Sequence, residues 1–287
     1  MKSRLVFLIL MLIVTGNLNR FKTQPVLLAG VEDEAARQGI LTSGGLSGVD
    51  GSRDLEERIL AATVRIELLG WRGTGDERTP MALANRAHAT IKDGRYLVTH
   101  NHFEPSLTRP GGRYSAVSLY RANGEILLSQ APITAFTVVA GDAETLVLEF
   151  VDEAGNGLFE ALGMPSAQFA AGEAIELRPG MEVAQINWNG RATEVQWVGI
   201  DRVITDSDTP RLEVHSLIEQ GSSGGGVFWQ GTHVANNWFR VITREADRGQ
   251  ILDTYSMAAL NTPGISEFDG QPEMFTWSAS SLVQWSP

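Results

Sequence analysis

The feature that most constrains this chain is a long succession of short apolar runs between residues 59 and 244. Turn-forming tripeptides separate many of them, such as Lys92-Asp93-Gly94 and Ala122-Asn123-Gly124. Many short runs without a long amphipathic helix predict an all-β barrel or sandwich. A more polar stretch at 152–175 divides the runs into two halves of about six strands each. The predicted strands are 62–68, 89–92, 96–99, 116–120, 125–128, 136–139, 145–151, 182–186, 193–200, 212–215, 226–229, 233–235 and 239–243.

Charge and cysteine content exclude several classes of site and partner. The chain of 287 residues has 34 acidic and 23 basic residues, a formal net charge of −11. This acidity disfavours nucleic acid and anionic lipid as partners, although solubility alone also explains it. The absence of cysteine excludes disulfides, cysteine nucleophiles and thiolate metal sites.

The N-terminal segment has the pattern of an export signal. Lys2 and Arg4 precede an uninterrupted apolar run, 5–14, which is shorter than an ordinary membrane span. Residues 1–30 are therefore predicted to be a signal peptide or an uncleaved membrane anchor. Either alternative makes the protein extracytoplasmic, secreted or anchored, with membrane contact only through this segment.

Two further segments flank the strand-rich region. Residues 31–57 are acidic and rich in Gly and Ser, which indicates a flexible linker that can include one helical turn. The region after Ser256 is expected to hold one short helix, and residues 266–287 form a C-terminal tail.

The strongest local signal is the stretch from Gln220 to Phe228, in which glycines surround Ser223 and an apolar strand follows. Glycines allow a tight turn and close approach of a substrate carbonyl. The amides of Gly221 and Ser223 can then converge on a developing oxyanion. A flexible Gly/Ser hairpin loop is the alternative interpretation.

A second signal is the histidine-containing end of the strand at 96–99. Ser hydroxyls need a positioned base, usually an imidazole, to act as nucleophiles at neutral pH. His100 and His102 are candidates for that base. Because they stand two residues apart on a strand, they are also candidates for a metal site.

A carboxylate that orients the imidazole is expected where Asp142 and Glu144 lead into the strand at 145–151. Both carboxylates are candidates for that role.

Together these stretches resemble the chymotrypsin-like (trypsin-like) serine proteases, closest to bacterial disulfide-free members of the high-temperature-requirement type. Thr99-His100-Asn101-His102 fits the family's Thr-x-x-His, which places His102 on the catalytic position. Gly221-Ser222-Ser223-Gly224-Gly225 matches its Gly-Asp/Asn-Ser-Gly-Gly, and 177–184 resembles the entry to the second barrel.

The resemblance also bears on the acid, because in that family an Asp precedes a strand of alternating apolar residues. If Asp142 took that place, Glu144 would face the core, where an unpaired carboxylate costs several kcal/mol. The resemblance therefore favours Glu144, and Asp142 remains the alternative.

The resemblance covers residues 58–262 and implies a fold of two six-stranded antiparallel β-barrels, at about 58–155 and 172–262, within a protease domain at 58–265. It leaves too few residues for the PDZ domain of that family. The implied activity is serine endopeptidase action on a polypeptide substrate, through an acyl-enzyme intermediate and without cofactor or metal.

The implied substrate cleft has Leu217 and Gln220 on one wall and Asn237 on another, with a small apolar or polar residue expected before the cut. Three positions depart from the family pattern: the triad acid, Ser222 in place of Asp or Asn, and Gly226 in place of Pro. These departures support an alternative, a catalytically inactive homologue that acts as an extracytoplasmic binding or regulatory protein.

Overall fold

Strands form where the short apolar runs of the sequence predict them. The structure, a computed structural model, describes residues 8–9, 49–72, 79–101, 114–142, 144–216, 218–244 and 251–270. In chain order the strands are β1 (Leu8–Ile9), β2 (Thr63–Arg72), β3 (Thr79–Lys92), β4 (Tyr96–His100), β5 (Tyr114–Arg121), β6 (Ile126–Pro132), β7 (Phe136–Gly141), β8 (Thr145–Phe150), β9 (Gln168–Phe169), β10 (Glu182–Trp188), β11 (Thr193–Ile204), β12 (Arg211–Val214), β13 (Gly226–Trp229), β14 (Thr232–Arg244) and β15 (Ile251–Leu260).

The first sheet contains seven antiparallel strands in the order β6-β5-β2-β3-β4-β8-β7. It encloses a core of aliphatic and aromatic side chains that includes Ile91, Leu119, Leu146 and Phe159, all fully buried. A short 3₁₀ turn, Ile133–Ala135, separates β6 from β7. The two-barrel prediction gives this half six strands, whereas the sheet has seven. They match the seven runs predicted between 62 and 151, with β6 and β7 on the separate runs at 125–128 and 136–139.

The second sheet closes into a six-stranded antiparallel barrel. The path β14-β13-β10-β11-β12-β15 returns to its start because β15 also pairs with β14, from Ala235 opposite Leu260 to Arg244 opposite Ile251. Its core includes Val183, Leu212, Val227 and Val234, all fully buried. The predicted all-β, chymotrypsin-like double-barrel architecture is confirmed.

Four helices are described: α1 (Val49–Ala61), α2 (Glu153–Asn156), α3 (Leu158–Ala161) and α4 (Pro263–Ser266). Helix α1 corrects the linker prediction, because residues 49–57 are helical. Its apolar side packs on the second barrel, where Ile59 is buried with Ala184 and Phe228. The rest of the predicted linker lies outside the described residues.

The tail prediction is also refined. Residues after Ser256 continue strand β15 to Leu260, and the short helix follows as α4. Of the predicted export signal only Leu8–Ile9 is described, paired antiparallel with Arg244 and Thr243. Within the described ranges, no helix has the length and apolarity needed to span a membrane.

Candidate active site

Two successive tight turns form the loop that carries Ser223. The N–H of Ser222 donates to the Glu219 carbonyl at 3.1 Å, and the N–H of Gly225 donates to the Ser222 carbonyl at 2.9 Å. The third residue of each turn is a glycine at positive φ, Gly221 at +107° and Gly224 at +74°. A positive φ at that position is the mark of a type II turn, which explains why the sequence requires glycine there.

Two backbone N–H groups of this loop have no acceptor among the described residues. The N–H groups of Ser222, Gly224 and Gly225 all donate to carbonyls, that of Gly224 to Asn237 at 3.0 Å. Among the described residues, the N–H groups of Gly221 and Ser223 have no acceptor. Buried or half-buried amides without an acceptor are rare in folded proteins. The two donors that the sequence predicts for an oxyanion are therefore the two that the fold leaves unused.

The loop packs against the first sheet with no space to spare. A Cβ placed on Gly224 would lie 2.3 Å from Thr99 Oγ1, 2.4 Å from the His88 carbonyl oxygen and 2.9 Å from the His100 nitrogen. Such distances are far below van der Waals contact, so only glycine fits. The close approach sets Ser223 directly beside the end of β4.

His88, on β3, holds the loop at two points, through its backbone N–H and its ring Nδ1. Its backbone N–H donates to the Ser223 carbonyl at 2.9 Å, and its backbone carbonyl accepts from the Thr99 hydroxyl at 2.7 Å. Its ring Nδ1 lies 2.8 Å from the Gly221 carbonyl, and Nε2 lies 2.8 Å from Thr193 Oγ1. Burial lowers the pKa of His88 to about 4, and the nearby arginines 65 and 86 lower it further.

The sequence analysis did not single out His88. The available signal was a histidine in an apolar strand, flanked by Ala87 and Ala89. Both alanines face the core of the first sheet, so the His88 ring lies on the opposite face of β3, where it is also buried.

The predicted base, His102, lies outside the described residues. The described chain ends just before it, with His100 buried as the last residue of β4 and the Asn101 N–H donating to the Glu144 carbonyl at 3.0 Å.

The two candidate acids differ in what their carboxylates contact. Asp142 Oδ1 accepts from the N–H groups of Glu144 and Thr145, at 3.0 and 2.8 Å, and Oδ2 accepts from the Thr262 hydroxyl at 3.1 Å. Asp142 therefore closes the turn before β8. Burial raises its pKa, and these hydrogen bonds oppose the rise.

The Glu144 carboxylate has fewer contacts of this kind. Its Oε2 lies 3.4 Å from His100 Nε2, and its side chain is 18% exposed. Burial, together with the neighbouring charge of Asp142, raises the pKa of Glu144 to about 7. Glu144 is thus the carboxyl whose charge is least compensated in this part of the structure.

A neutral hydrogen-bond network supports the loop from the second barrel. The Ser222 hydroxyl is buried; it donates to Asn187 Oδ1 at 2.7 Å and accepts from the Trp188 N–H at 2.8 Å. Asn187 Oδ1 also accepts from the Glu219 N–H at 3.2 Å. Ser222 thereby fixes the loop without an ion pair. This is the position at which the sequence analysis noted a departure from Asp or Asn.

The predicted cleft residues have different positions. Gln220 is exposed at the second position of the first turn. Asn237 is fully buried: its Nδ2 donates to the carbonyls of Ile186, at 2.6 Å, and Ser222, at 3.2 Å. Its side chain therefore holds the loop to β10, through the Ser222 carbonyl, which also accepts from the Gly225 N–H, and the Ile186 carbonyl. Leu217 lies outside the described residues.

Charged and aromatic side chains flank the turn at Gly221. The Arg86 guanidinium lies 4.2 Å above the Trp188 ring and bonds Glu67 Oε1 through Nε and Nη2, at 3.2 and 3.0 Å. A Cβ on Gly221 would lie 3.3 Å from Trp188 and 3.4 Å from Arg86, so these two side chains form one wall of the turn. Arg240 Nη1 lies 3.4 Å from Glu219 Oε2 on the loop's other side.

The alternative of a metal site on His100 and His102 falls partly outside the described residues. In the part that the structure describes, no group of three or more His, Asp or Glu side chains is arranged to hold a metal ion.

Comparison with known proteins gives a likeness of fold only. No protein-family model matches the chain, and no curated protein matches it. One solved structure it resembles is an HtrA-type protease, AlgW with a decapeptide, at 14% identity and a TM-score of 0.48. The likeness covers 72% of this chain and 62% of that one, so the chain spans less than two thirds of that neighbour.

Proposed function

We propose that this protein is a serine endopeptidase in which Ser223 is the nucleophile, His102 the general base and Glu144 the carboxylate that orients His102. Ser223 Oγ attacks the carbonyl carbon of a peptide bond as its proton passes to His102. The tetrahedral oxyanion accepts hydrogen bonds from the N–H groups of Gly221 and Ser223. His102 then protonates the leaving amine, and water hydrolyses the acyl-enzyme by the same path.

The observation that carries this proposal is the pair of amides without acceptors beside the Ser223 side chain. Preorganised N–H donors aimed at a developing charge are commonly the largest electrostatic contribution to acyl-transfer catalysis. A flexible Gly/Ser hairpin would not fix Gly221 and Gly224 in two closed turns packed on β3 and β4. The loop is therefore better explained as a rigid catalytic turn than as a linker.

Glu144 is favoured over Asp142 because of how their carboxylates are used. Asp142 already accepts three hydrogen bonds: two close the turn before β8, and the third comes from the Thr262 hydroxyl. The backbone of Glu144 is hydrogen-bonded to Asn101, the residue immediately before His102. An ionised Glu144 next to the His102 ring would stabilise the imidazolium that forms during the reaction.

The substrate class proposed is polypeptide, with no cofactor. The exposed Gln220 beside Gly221 is the side chain proposed to contact the residue before the cleaved bond. Leu217, three positions earlier, is proposed to lie on the same wall. Because of the apolar run at 5–14, the proposed location is outside the cytoplasm.

Labelling with a fluorophosphonate probe tests the proposal, because it requires an activated serine and needs no known substrate. We expect the folded full-length chain to be labelled on Ser223 and not on Ser222, as mapped by mass spectrometry of the labelled peptide. S223A should abolish labelling, and H102A should reduce it by at least a hundredfold.

The matched control is S207A, which removes a partly buried serine from the turn before β12 and should label at the wild-type rate. Circular dichroism checks that each variant is folded. A folded wild-type protein that is not labelled would overturn the proposal and would favour a binding role for the fold.

A further inference from the structure

The buried histidine His88 lies under the proposed oxyanion site, in the other sheet from the nucleophile loop. It is fully buried, and both ring nitrogens are within 2.8 Å of a polar atom. A buried imidazole with this pattern has a defined tautomer. That tautomer determines which atoms of the loop it holds.

The partners of His88 fix the position of its proton. Nδ1 lies 2.8 Å from the Gly221 carbonyl oxygen, which can only accept, so Nδ1 must carry the hydrogen. Nε2 is then the acceptor, and the Thr193 hydroxyl, 2.8 Å away on β11, donates to it. Burial between Arg65 and Arg86 keeps the ring neutral at physiological pH.

The Gly221 carbonyl belongs to the peptide that joins Gly221 to Ser222. The other end of that peptide, the Ser222 N–H, donates to the Glu219 carbonyl at 3.1 Å. Both ends of this peptide plane are therefore hydrogen-bonded, which fixes the position of the Gly221 Cα. The Gly221 N–H belongs to the preceding peptide, which is joined to the same Cα inside the closed Glu219–Ser222 turn, so the turn and this plane together limit where that N–H can point.

The backbone of His88 holds the nucleophile at the same time. Its N–H donates to the Ser223 carbonyl at 2.9 Å. One residue of β3 thus bonds the carbonyls of the two residues whose N–H groups have no acceptor among the described residues.

We infer that His88 is a positioning residue: its Nδ1–H holds the Gly221 carbonyl so that the Gly221 amide stays aimed at the oxyanion. This inference rests on the proposed function. The role belongs to a hydrogen-bond donor at one place in the ring, since Nε2 faces Thr193 instead. Asn carries an amide donor near the place of Nδ1–H, whereas Gln carries one near the place of Nε2.

The first experiment compares H88N, H88Q and H88A in the full-length chain with a fluorogenic peptide substrate. Loss of one oxyanion donor typically lowers turnover about 10²–10³-fold, and a misdirected donor should cost less. We expect H88A and H88Q to lower kcat about 10–100-fold with KM changed less than threefold. We expect H88N to recover at least tenfold of that loss.

Thermal unfolding separates positioning from folding, because H88N and H88Q both place a polar amide in the same cavity. Equal kcat values for H88N and H88Q would overturn the inference, as would a loss of kcat that follows the melting temperature. T193V, which keeps the His88 ring but removes the donor to Nε2, is expected to lower kcat only a few-fold.

The second experiment does not depend on turnover, so it separates this inference from the proposed function. In ¹⁵N-labelled S223A protein, the amide resonance of Gly221 reports the geometry of the turn. We expect H88Q to move that resonance and H88N to leave it near its original position. An unmoved Gly221 resonance in both H88Q and H88A would refute the positioning role, whether or not wild-type protein reacts with the probe.

Discussion

Glu144 makes a prediction about stability that can be worked out from the structure without knowing the substrate. The pKa of its carboxyl is 4.5 when the side chain is exposed to water and about 7 in the folded protein, where burial raises it most and the charge of Asp142 raises it further. Folding therefore favours the protonated form. Stability from this group is fully present below pH 4.5 and is lost as the pH rises through about 7.

The size of the effect follows from the two pKa values. A rise from 4.5 to about 7 corresponds to at most about 3 kcal/mol of unfolding free energy, since each tenfold change in affinity for the proton is 1.36 kcal/mol. The side chain is 18% exposed, and solvent screens part of its charge. We therefore expect about 1–2 kcal/mol to be lost between pH 5 and pH 8.

The assay is urea unfolding of wild type and E144Q at pH 5.0 and 8.0. Gln has no charge to bury, so the unfolding free energy of E144Q should rise relative to that of wild type as the pH rises. The gap in unfolding free energy should widen by about 1–2 kcal/mol, equivalent to several degrees in melting temperature. Titrating groups that do not interact with Glu144 cancel, because they are present in both proteins.

The matched control is E125Q, which removes a glutamate that is 59% exposed at the β5–β6 turn. Its stability difference from wild type should stay within about 0.5 kcal/mol at both pH values. If the gap between E144Q and wild type were constant from pH 5 to pH 8, Glu144 would be ionised at little cost. The argument that its charge is poorly compensated would then be refuted.

Three further predictions concern the same loop and the buried histidines. G224A should lose about 3 kcal/mol or more of unfolding free energy, because its Cβ would lie within 2.4 Å of two oxygens. The control is G190A, since Gly190 is also at positive φ but has open space around it, and it should lose only about 1 kcal/mol. Equal losses for G224A and G190A in urea unfolding would contradict the close packing described for Gly224. S222A should lose about 1–3 kcal/mol, because the buried Trp188 N–H loses its acceptor, and an unchanged urea midpoint would show that this hydrogen bond is dispensable. Burial lowers the pKa values of His88 and His233 from 6.5 to about 4 and about 3. In the E144Q background, the free energy of unfolding should therefore fall by up to about 3 kcal/mol for each histidine between pH 6.5 and pH 4.5. A urea midpoint that stays constant from pH 7 to pH 4.5 would contradict this.

The sequence predicted the β architecture well because its signals are local. The apolar runs at 145–151 and 226–229 correspond to β8 and β13, and glycine-containing turns separate many strands. The N-terminal helix α1 was missed for the same reason. Its apolar residues are few, and what stabilises it is distant in sequence: Ile59 on Phe228, and Trp197 donating to Glu56 at 2.6 Å.

The sequence predicted the glycines of the Ser223 loop but not the side chains that hold the loop in place. Gly221 and Gly224 could be identified because their positive φ leaves a mark on residue type. Asn237 was expected in the cleft, yet its amide is turned inward to two carbonyls. Such side chain–backbone bonds depend on the register of non-adjacent strands, which residue type alone does not determine. His88 illustrates the same limit, since its partner Gly221 lies 133 residues away.

The two free amides follow from how the loop's other groups are satisfied. The loop itself supplies acceptors for the N–H groups of Ser222 and Gly225, and β14 of the second barrel supplies one for Gly224. Strand β3 supplies donors for the carbonyls of Gly221 and Ser223. Leaving a donor without an acceptor costs about 1–3 kcal/mol, so the two turns persist because both sheets hold them. A substrate carbonyl would recover part of that cost, and an oxyanion would recover more, since hydrogen bonds to a charged acceptor are about twice as strong. That difference between ground state and transition state is what accelerates a reaction. A site formed in this way requires both sheets, so a variant that loosens the contact between β3 and the loop should lose turnover before it loses substrate affinity.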